Sequence, residues 1–298
     1  MVGAAETPGP GGDLRILITG AGGQLGTDLT RLVTGDTRHH LLAPDHAHLD
    51  VGDRDEVLSA VTTFRPDLVL HAAAWTAVDA CESDRDRAWR DNTLACRYIA
   101  EAARAVGAHL VSVSTDYVFD GTSPEPYTEW DKPNPRSVYG TSKLAGEAEV
   151  RVIDPGSAVV RTSWVWGPHG ANAVTTVLRL AAQGSPMRFV DDQRSCPTFT
   201  GDLAAALLRL GMTRRPGLFH VTNQGAATRY QFARDVVAAA GFDPAMVEPI
   251  GTSELQPPRP ARRPANSVLD NVALRLGGMP LLPDYHEPLE RVVKGLAG

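Results

Sequence analysis

Cysteine is scarce in this chain: Cys81, Cys96 and Cys196 are the only three in 298 residues, and no CxxC pair occurs. An odd, unpaired set excludes a disulfide framework and a thiolate metal site, and it fits reduced thiols in a cytoplasmic protein. Nothing approaches the ~18 consecutive apolar residues of a membrane span. The opening MVGAAETPGPGGD has neither a basic cluster nor an apolar core, so no secretory signal is expected there. Positive charge is not in excess either. With 29 Lys+Arg against 35 Asp+Glu the formal net charge is -6, which argues against nucleic acid as a partner. No internal repeat and no collagen-like glycine period is present. What remains is ample apolar material, 43% of residues against 21% charged, enough for a sizeable core and too much for a disordered chain.

Residues 1–13 are rich in Gly and Pro and predict a disordered leader. From Leu14 to Thr19 a β-branched run predicts a strand, followed by a helix with Leu25, Leu29, Leu32 and Val33 on one face. Strands are expected at His40–Ala43, Leu68–Ala72, His109–Ser114 and Ser157–Arg161, with helices between them around Val57–Phe64, Trp89–Val106 and Val138–Arg151. Gly107 stands where a helix C-cap is expected. Strands alternating with helices at this spacing predict βαβ units, hence a doubly wound parallel sheet of the Rossmann-like α/β class covered on both faces. Beyond about residue 167 the pattern loosens into a smaller mixed α/β lobe. The expected division is a dinucleotide-binding core over 14–165 and a mainly substrate-binding lobe over 166–298, interleaved with the core.

The first strand ends in Gly20-Ala21-Gly22-Gly23-Gln24-Leu25-Gly26. Glycines at 20, 23 and 26 suit a tight turn and a close approach of backbone to a pyrophosphate. The free amides opening the helix, those of Gln24 and Leu25 included, would then face the phosphates. Asp45 closes the second strand, where a carboxylate can bind adenosine ribose hydroxyls; a solvated turn aspartate is the plainer alternative. Asp50 and Val51 have the character of an adenine-edge contact. Ala72, Ala73, Ala74 and Thr76 end the central strand in small residues, which either admit a flat dinucleotide or simply pack tightly.

Tyr139 and Lys143 lie four apart at the start of a helix, which puts both on one face. A phenol titrates near ~10, and a neighbouring ammonium favours its ionised form and lowers that value. Tyr139 is then a usable general acid, and Lys143 can also hold ribose hydroxyls. A hydroxyl at a neighbouring strand end, from Ser114 or Thr115, would polarise a substrate carbonyl. The order glycine turn, strand-end hydroxyl, YxxxK helix is the layout of nicotinamide-dependent carbonyl reduction.

With these residues in view, the chain resembles the extended short-chain dehydrogenase/reductase family, specifically its dTDP-4-dehydrorhamnose reductase branch. The segments that carry the resemblance are GAGGQLG (20–26), AAAWTAVDACE (72–82), STDYVFDG (114–121), YGTSKLAGE (139–147), RTSWVWG (161–167), VTNQG (221–225) and RPANS (263–267). The resemblance implies NADPH or NADH as cofactor and a dTDP-linked 4-keto-6-deoxy sugar as substrate. It assigns Thr115 as the hydroxyl partner, Tyr139 as proton donor and Lys143 as the activating, ribose-binding residue. Val78, Asp79, Asp116, Tyr117 and Trp164 would border the sugar, Arg263 would meet the diphosphate, and Asn92 would support the cofactor site. Some members resemble Mg2+-bridged dimers that use a carboxylate of the first helix; Asp28 is the candidate here, and the sequence identifies no further ligand. A monomer and a homodimer both remain open. The loop Gln193–Thr198 departs from the family's DQxGxPT pattern by carrying Ser195 and Cys196, which leaves room for another sugar, as in dihydrostreptose formation or other deoxysugar 4-ketoreduction. A non-catalytic regulatory subunit like that of methionine adenosyltransferase is the rival outside enzymology.

Overall fold

A computed structural model describes residues 12–297. The leader expected over 1–13 therefore lies, apart from its last two residues, outside the described residues.

The chain alternates from its start. It runs β1 (Arg15–Thr19), α1 (Gln24–Thr34), β2 (His40–Leu42), α2 (Arg54–Phe64) and β3 (Leu68–His71), then the short α3 (Val78–Ser83) and α4 (Arg85–Trp89). A single π-helical turn, Arg90–Leu94, leads directly into α5 (Ala95–Val106). Then come β4 (His109–Thr115), α6 (Val138–Ile153), β5 (Ala158–Thr162), β6 (Val165–Trp166), α7 (Ala173–Ala182), β7 (Met187–Val190), β8 (Arg194–Ser195) and β9 (Thr198–Phe199). The chain closes with α8 (Thr200–Met212), β10 (Gly217–His220), β11 (Ala227–Thr228), α9 (Arg229–Ala239), β12 (Val247–Ile250), α10 (Val272–Leu276) and α11 (His286–Ala297).

Six strands form one parallel sheet in the order β10-β5-β4-β3-β1-β2. Alternation within single strands explains its two covered faces. Ile16, Ile18, Leu68 and Leu70 pack with Leu25, Leu29 and Val33 of α1 and Leu203, Leu207 and Leu210 of α8. Leu17, Val69, Leu110 and Val159 point the other way, onto Val57, Val61, Ile99, Ala103 and Val150 of α2, α5 and α6. Leu32, expected on the apolar face of α1, is 40% exposed; the buried stripe is Leu25, Leu29 and Val33, and Leu32 falls to its solvent side. The long helix begins earlier than its apolar pattern suggests, at Arg85, because the Asp84 side chain caps it by accepting from Arg87 N at 3.1 Å. Gly107 ends it in the left-handed conformation, φ 74°.

Strand β10 and helix α8 return to the large sheet although they follow residue 166 in sequence. A second apolar cluster, built from Trp166, Val174, Val177, Phe232, Val236, Tyr285 and Leu289, joins α7, α9 and α11 with the two-stranded β7–β12 pair. The order of strands reverses beside β1, whose neighbours are β2 and β3. In open α/β sheets the crevice beyond the strand ends at such a reversal is where ligands bind.

Helix α6 is fastened to the sheet by polar as well as apolar contacts. Arg161 of β5 donates from Nε and Nη2 to the two oxygens of Glu147, at 2.9 and 2.7 Å, and Ser114 Oγ of β4 donates to the same carboxylate at 2.6 Å. Both charged side chains are buried, 2% and 3% exposed. Removing one member strands the other in a low-dielectric interior. Arg161→Met is expected to destabilise the fold by about 3–5 kcal/mol in urea titration, with the double change Arg161→Met, Glu147→Leu recovering part of the loss. A single-variant loss under about 1 kcal/mol, the size of an exposed pair, contradicts this reading.

Candidate active site

The ends of β1, β3, β4 and β5 open onto one cleft of about 380 Å3. It is lined by Gly20, Gly23, Gln24, Leu25 and Gly26 of the first turn, by Ala72, Ala74, Thr76 and Val78 after β3, and by Thr115, Asp116, Tyr117, Tyr139, Lys143 and Trp164. Sequence positions more than a hundred residues apart thus meet where the sheet's strand ends converge.

The glycine turn is constrained by backbone. Gly20 has φ +72°, and a Cβ on it would sit 2.8 Å from Ala73 Cα and N. A Cβ on Gly26 would stand 2.1 Å from the Gly20 carbonyl oxygen. Helix α1 starts from Gly23 with no side-chain cap and no acidic residue in its first turn. Its opening amides and dipole therefore remain available to an anion at the cleft wall, and the residues present fit a dinucleotide diphosphate. A shallow hollow of about 750 Å3 continues past Ala21, Gly22, Leu42 and Asp45. Asp45 borders it, with Oδ1 accepting from Ala47 N and His48 Nδ1 at 3.0 and 2.6 Å. Asp50 and Val51 stand apart from both spaces: Asp50 pairs with Arg90, and Val51 packs against the apolar layer beneath α2 and α5.

Tyr139 is buried beside Thr115 and Tyr117, its ring meeting that of Tyr117 edge-on at 5.6 Å between centroids. Burial pushes its phenol above the ordinary value, while the Thr115 hydroxyl pulls the other way. The expectation that Lys143 lowers the phenol is not met, because burial is the larger effect and the Lys143 ammonium donates to the Val113 carbonyl at 2.7 Å. Of the two candidate hydroxyls, Ser114 is committed to Glu147. Thr115 stands at the phenol and donates to Asp116 Oδ1 at 3.1 Å. Asp116 is itself buried and also accepts from Ser267 at 2.5 Å and Ser195 at 3.1 Å, yet burial still raises its carboxyl. Ser195, the departure in the 193–198 loop, is thus part of the wall behind the site.

Asn92 lies in the π-helical turn and is not among the residues lining this cleft. Its amide brackets the Trp75 backbone, accepting from N at 2.8 Å and donating to O at 3.2 Å, and it donates to Ser142 Oγ at 3.1 Å. Gly146 of α6 admits this turn: a Cβ there would be 2.5 Å from the Asn92 carbonyl oxygen. Asp79 and Arg263 pair with each other, both bonds 2.6 Å, so that Arg263 holds Asp79's carboxyl below its usual range. Asp28 faces His169 at 3.4 Å, and His169 in turn meets the Arg31 guanidinium at 2.7 Å. A cation there would face another cation, and among the described residues no three His, Cys, Asp or Glu converge as a metal cage.

Trp164 lines the cleft as its position in the sequence implied; what sequence reasoning missed is its backbone conformation and the residue Arg229. Trp164 holds a left-handed backbone, φ 41°, a conformation costing a non-glycine residue about 1–3 kcal/mol. Arg229, the first residue of α9, lines the cleft with its guanidinium 3.6 Å above the Trp164 ring. A lone Thr-Arg-Tyr at a helix start carries no signal for either feature.

Fold and cleft together define a nucleotide-binding α/β protein equipped for acid-assisted carbonyl chemistry. The RmlD substrate binding domain family matches residues 14–297. Similar proteins include the dTDP-4-dehydrorhamnose reductase of Streptomyces griseus, 41% identical over 95% of this chain and 94% of its own. A probable dTDP-4,6-dihydroxy-2-methyloxan-3-one 4-ketoreductase of Streptomyces antibioticus is 40% identical over 93% of each. Among solved structures, the Bacillus anthracis dTDP-4-dehydrorhamnose reductase in complex with NADP superposes with a TM-score of 0.90 at 37% identity, covering 94% of this chain and 98% of that one. The chain belongs to the dTDP-4-dehydrorhamnose reductase branch of the extended short-chain dehydrogenase/reductase family.

Because its folded pKa is raised, Tyr139 keeps its proton through neutral pH and releases it only on the alkaline side of a free tyrosine. The difference in ultraviolet phenolate absorbance between wild type and Tyr139→Phe is expected to emerge only above pH ~10. A phenolate belonging to Tyr139 that titrates near neutral pH contradicts the assignment.

Proposed function

We propose that the chain reduces the 4-keto group of a dTDP-linked 4-keto-6-deoxyhexose, with dTDP-4-dehydro-β-L-rhamnose as substrate and dTDP-L-rhamnose as product. The observation that carries this reading is the convergence of the glycine turn, Thr115, Tyr139 and Lys143 on one cleft. It is supported by the 41% identity to the S. griseus reductase along nearly the whole chain. Bound at the glycine turn, NADPH or NADH supplies the hydride. The opening amides of α1 and the small residues Ala72–Ala74 accommodate the dinucleotide, and Asp45 serves the adenosine ribose. Tyr139 gives its proton to the substrate's O4, and the Thr115 hydroxyl, on turning its one proton from Asp116 to the phenol oxygen, favours the phenolate that this leaves. Lys143 orients the ribose and adds positive charge on the same helix face. Asn92 is a positioning residue that acts through Trp75 and Ser142. Val78, Asp79, Asp116, Tyr117, Trp164 and Arg263 form the substrate side.

A second reading keeps the chemistry and changes the sugar. The 40% identity to the S. antibioticus ketoreductase, and Ser195 in contact with Asp116, favour a deoxysugar of secondary metabolism as the alternative substrate. Among the described residues no helix is long and apolar enough to cross a membrane. Cys81, Cys96 and Cys196 are buried free thiols, which suits a reducing cytoplasm.

The test follows consumption of NADH and NADPH with the 3,5-epimerised dTDP-4-keto sugar and with unepimerised dTDP-4-keto-6-deoxyglucose, identifying product by mass and NMR. Turnover of the epimerised sugar to dTDP-L-rhamnose is expected, together with its loss in Tyr139→Phe and unchanged cofactor binding in that variant. Cofactor binding with no turnover of either sugar rejects the rhamnose reading, and normal turnover by Tyr139→Phe rejects the proton donor.

A further inference from the structure

Among the described residues, two cations line this cleft, Lys143 and Arg229, and Arg263 stands beside it; only Arg229 is neither neutralised nor spent. Lys143 donates to a backbone carbonyl, and Arg263 forms a two-pronged pair with Asp79. Arg229 makes no hydrogen bond or ion pair through its guanidinium, which rests on the Trp164 indole. Burial pulls its pKa below the ordinary value, so it is a desolvated charge. Arg259 and Arg263 approach closely enough to repel it, and the groups that favour its charge are Tyr117 and the buried Asp116. Asp79 is already engaged by Arg263 and stands 3.7 Å from Arg259. Three guanidinium groups therefore gather where one carboxylate is occupied and the other is discouraged by burial from ionising. A half-buried cation without a hydrogen-bond or ionic partner is unfavourable unless an anion completes it.

We propose that Arg229 is the anion receptor on the substrate side of the cleft, taking the diphosphate of the nucleotide-linked sugar while Trp164 supports its guanidinium plane. The inference rests on the sugar-nucleotide reading above. A guanidinium lying on an indole leaves its in-plane N–H edge free for bidentate contact with phosphate oxygens. The dinucleotide's own diphosphate has other donors in the same cleft, the amides that open α1 behind Gly20 and Gly23.

The probe is dTDP, titrated calorimetrically into wild type, Arg229→Gln and Arg229→Lys, with NADPH titrated in parallel and thermal melting as the check on folding. Loss of a charge-assisted contact predicts dTDP binding about ten- to a hundredfold weaker in Arg229→Gln, a raised KM for the keto sugar, and unchanged NADPH affinity. Arg229→Lys is expected to recover part of the dTDP affinity, because it keeps the charge and loses the planar edge. Inorganic pyrophosphate is expected to compete with dTDP in wild type. A folded Arg229→Gln protein that binds dTDP as wild type does overturns the inference and leaves the reductase reading standing. If the glutamine variant does not fold, dTDP affinity at the wild-type level in Arg229→Lys, or failure of pyrophosphate to compete, overturns it instead. A wild type that binds no dTDP overturns the inference, while the turnover assay alone decides the reductase reading.

Discussion

The buried pair between Glu147 and Arg161 fixes the position of α6, and α6 carries both Tyr139 and Lys143. One carboxylate takes two bonds from a guanidinium on β5 and a third from Ser114 on β4, so the helix is pinned to two neighbouring strands at once. Such a pair adds little to net stability compared with apolar packing, and its three bonds are satisfied together in the observed register of helix against sheet. The π-helical turn at Arg90–Leu94 works from the opposite flank. There Thr93 Oγ1 donates to the Ser142 carbonyl at 2.7 Å and Asn92 to the Ser142 hydroxyl, while Gly146 allows the two backbones to close. Held from both sides, the first turn of α6 delivers the phenol to the end of β4, where Thr115 stands.

The two walls of the cleft are electrostatically distinct for different structural reasons. On the β1 side the positive potential comes from backbone, from the uncapped start of α1 behind a turn that only glycine can make. On the lobe side it comes from side chains, Arg229, Arg259 and Arg263, contributed by α9 and the Pro-rich segment that follows β12. Between them lie Tyr139 and Asp116, both kept in their protonated direction by burial. A negatively charged dinucleotide and a second negatively charged ligand can thus be met by separate groups, backbone amides for one and guanidinium side chains for the other.

Much of this was legible in the sequence because it depends on local patterns. Apolar alternation marked both faces of β1 and β3, glycine spacing marked the first turn, and the four-residue interval of Tyr139 and Lys143 follows from helical geometry alone. What escaped depends on distant contacts. Leu32 was placed on the buried face because periodicity does not register the width of the stripe that α8 covers. The lowering of Tyr139 by Lys143 was expected from their interval, whereas the actual balance is decided by burial under Thr115, Asp116 and Tyr117. Ser195 read as a departure from a pattern, and only the fold brings it to Asp116. Arg229 and Trp164 are 65 positions apart in the chain, and nothing in either neighbourhood announces that one lies upon the other.

The account stands or falls on where the reacting oxygen sits. A crystal structure with oxidised cofactor and dTDP-L-rhamnose bound together addresses it directly. The expected result is the sugar's O4 within hydrogen-bonding reach, roughly 2.6–3.2 Å, of both the Tyr139 phenol and the Thr115 hydroxyl. A product bound with its O4 turned away from Tyr139, or outside the cleft beneath Trp164, would contradict it.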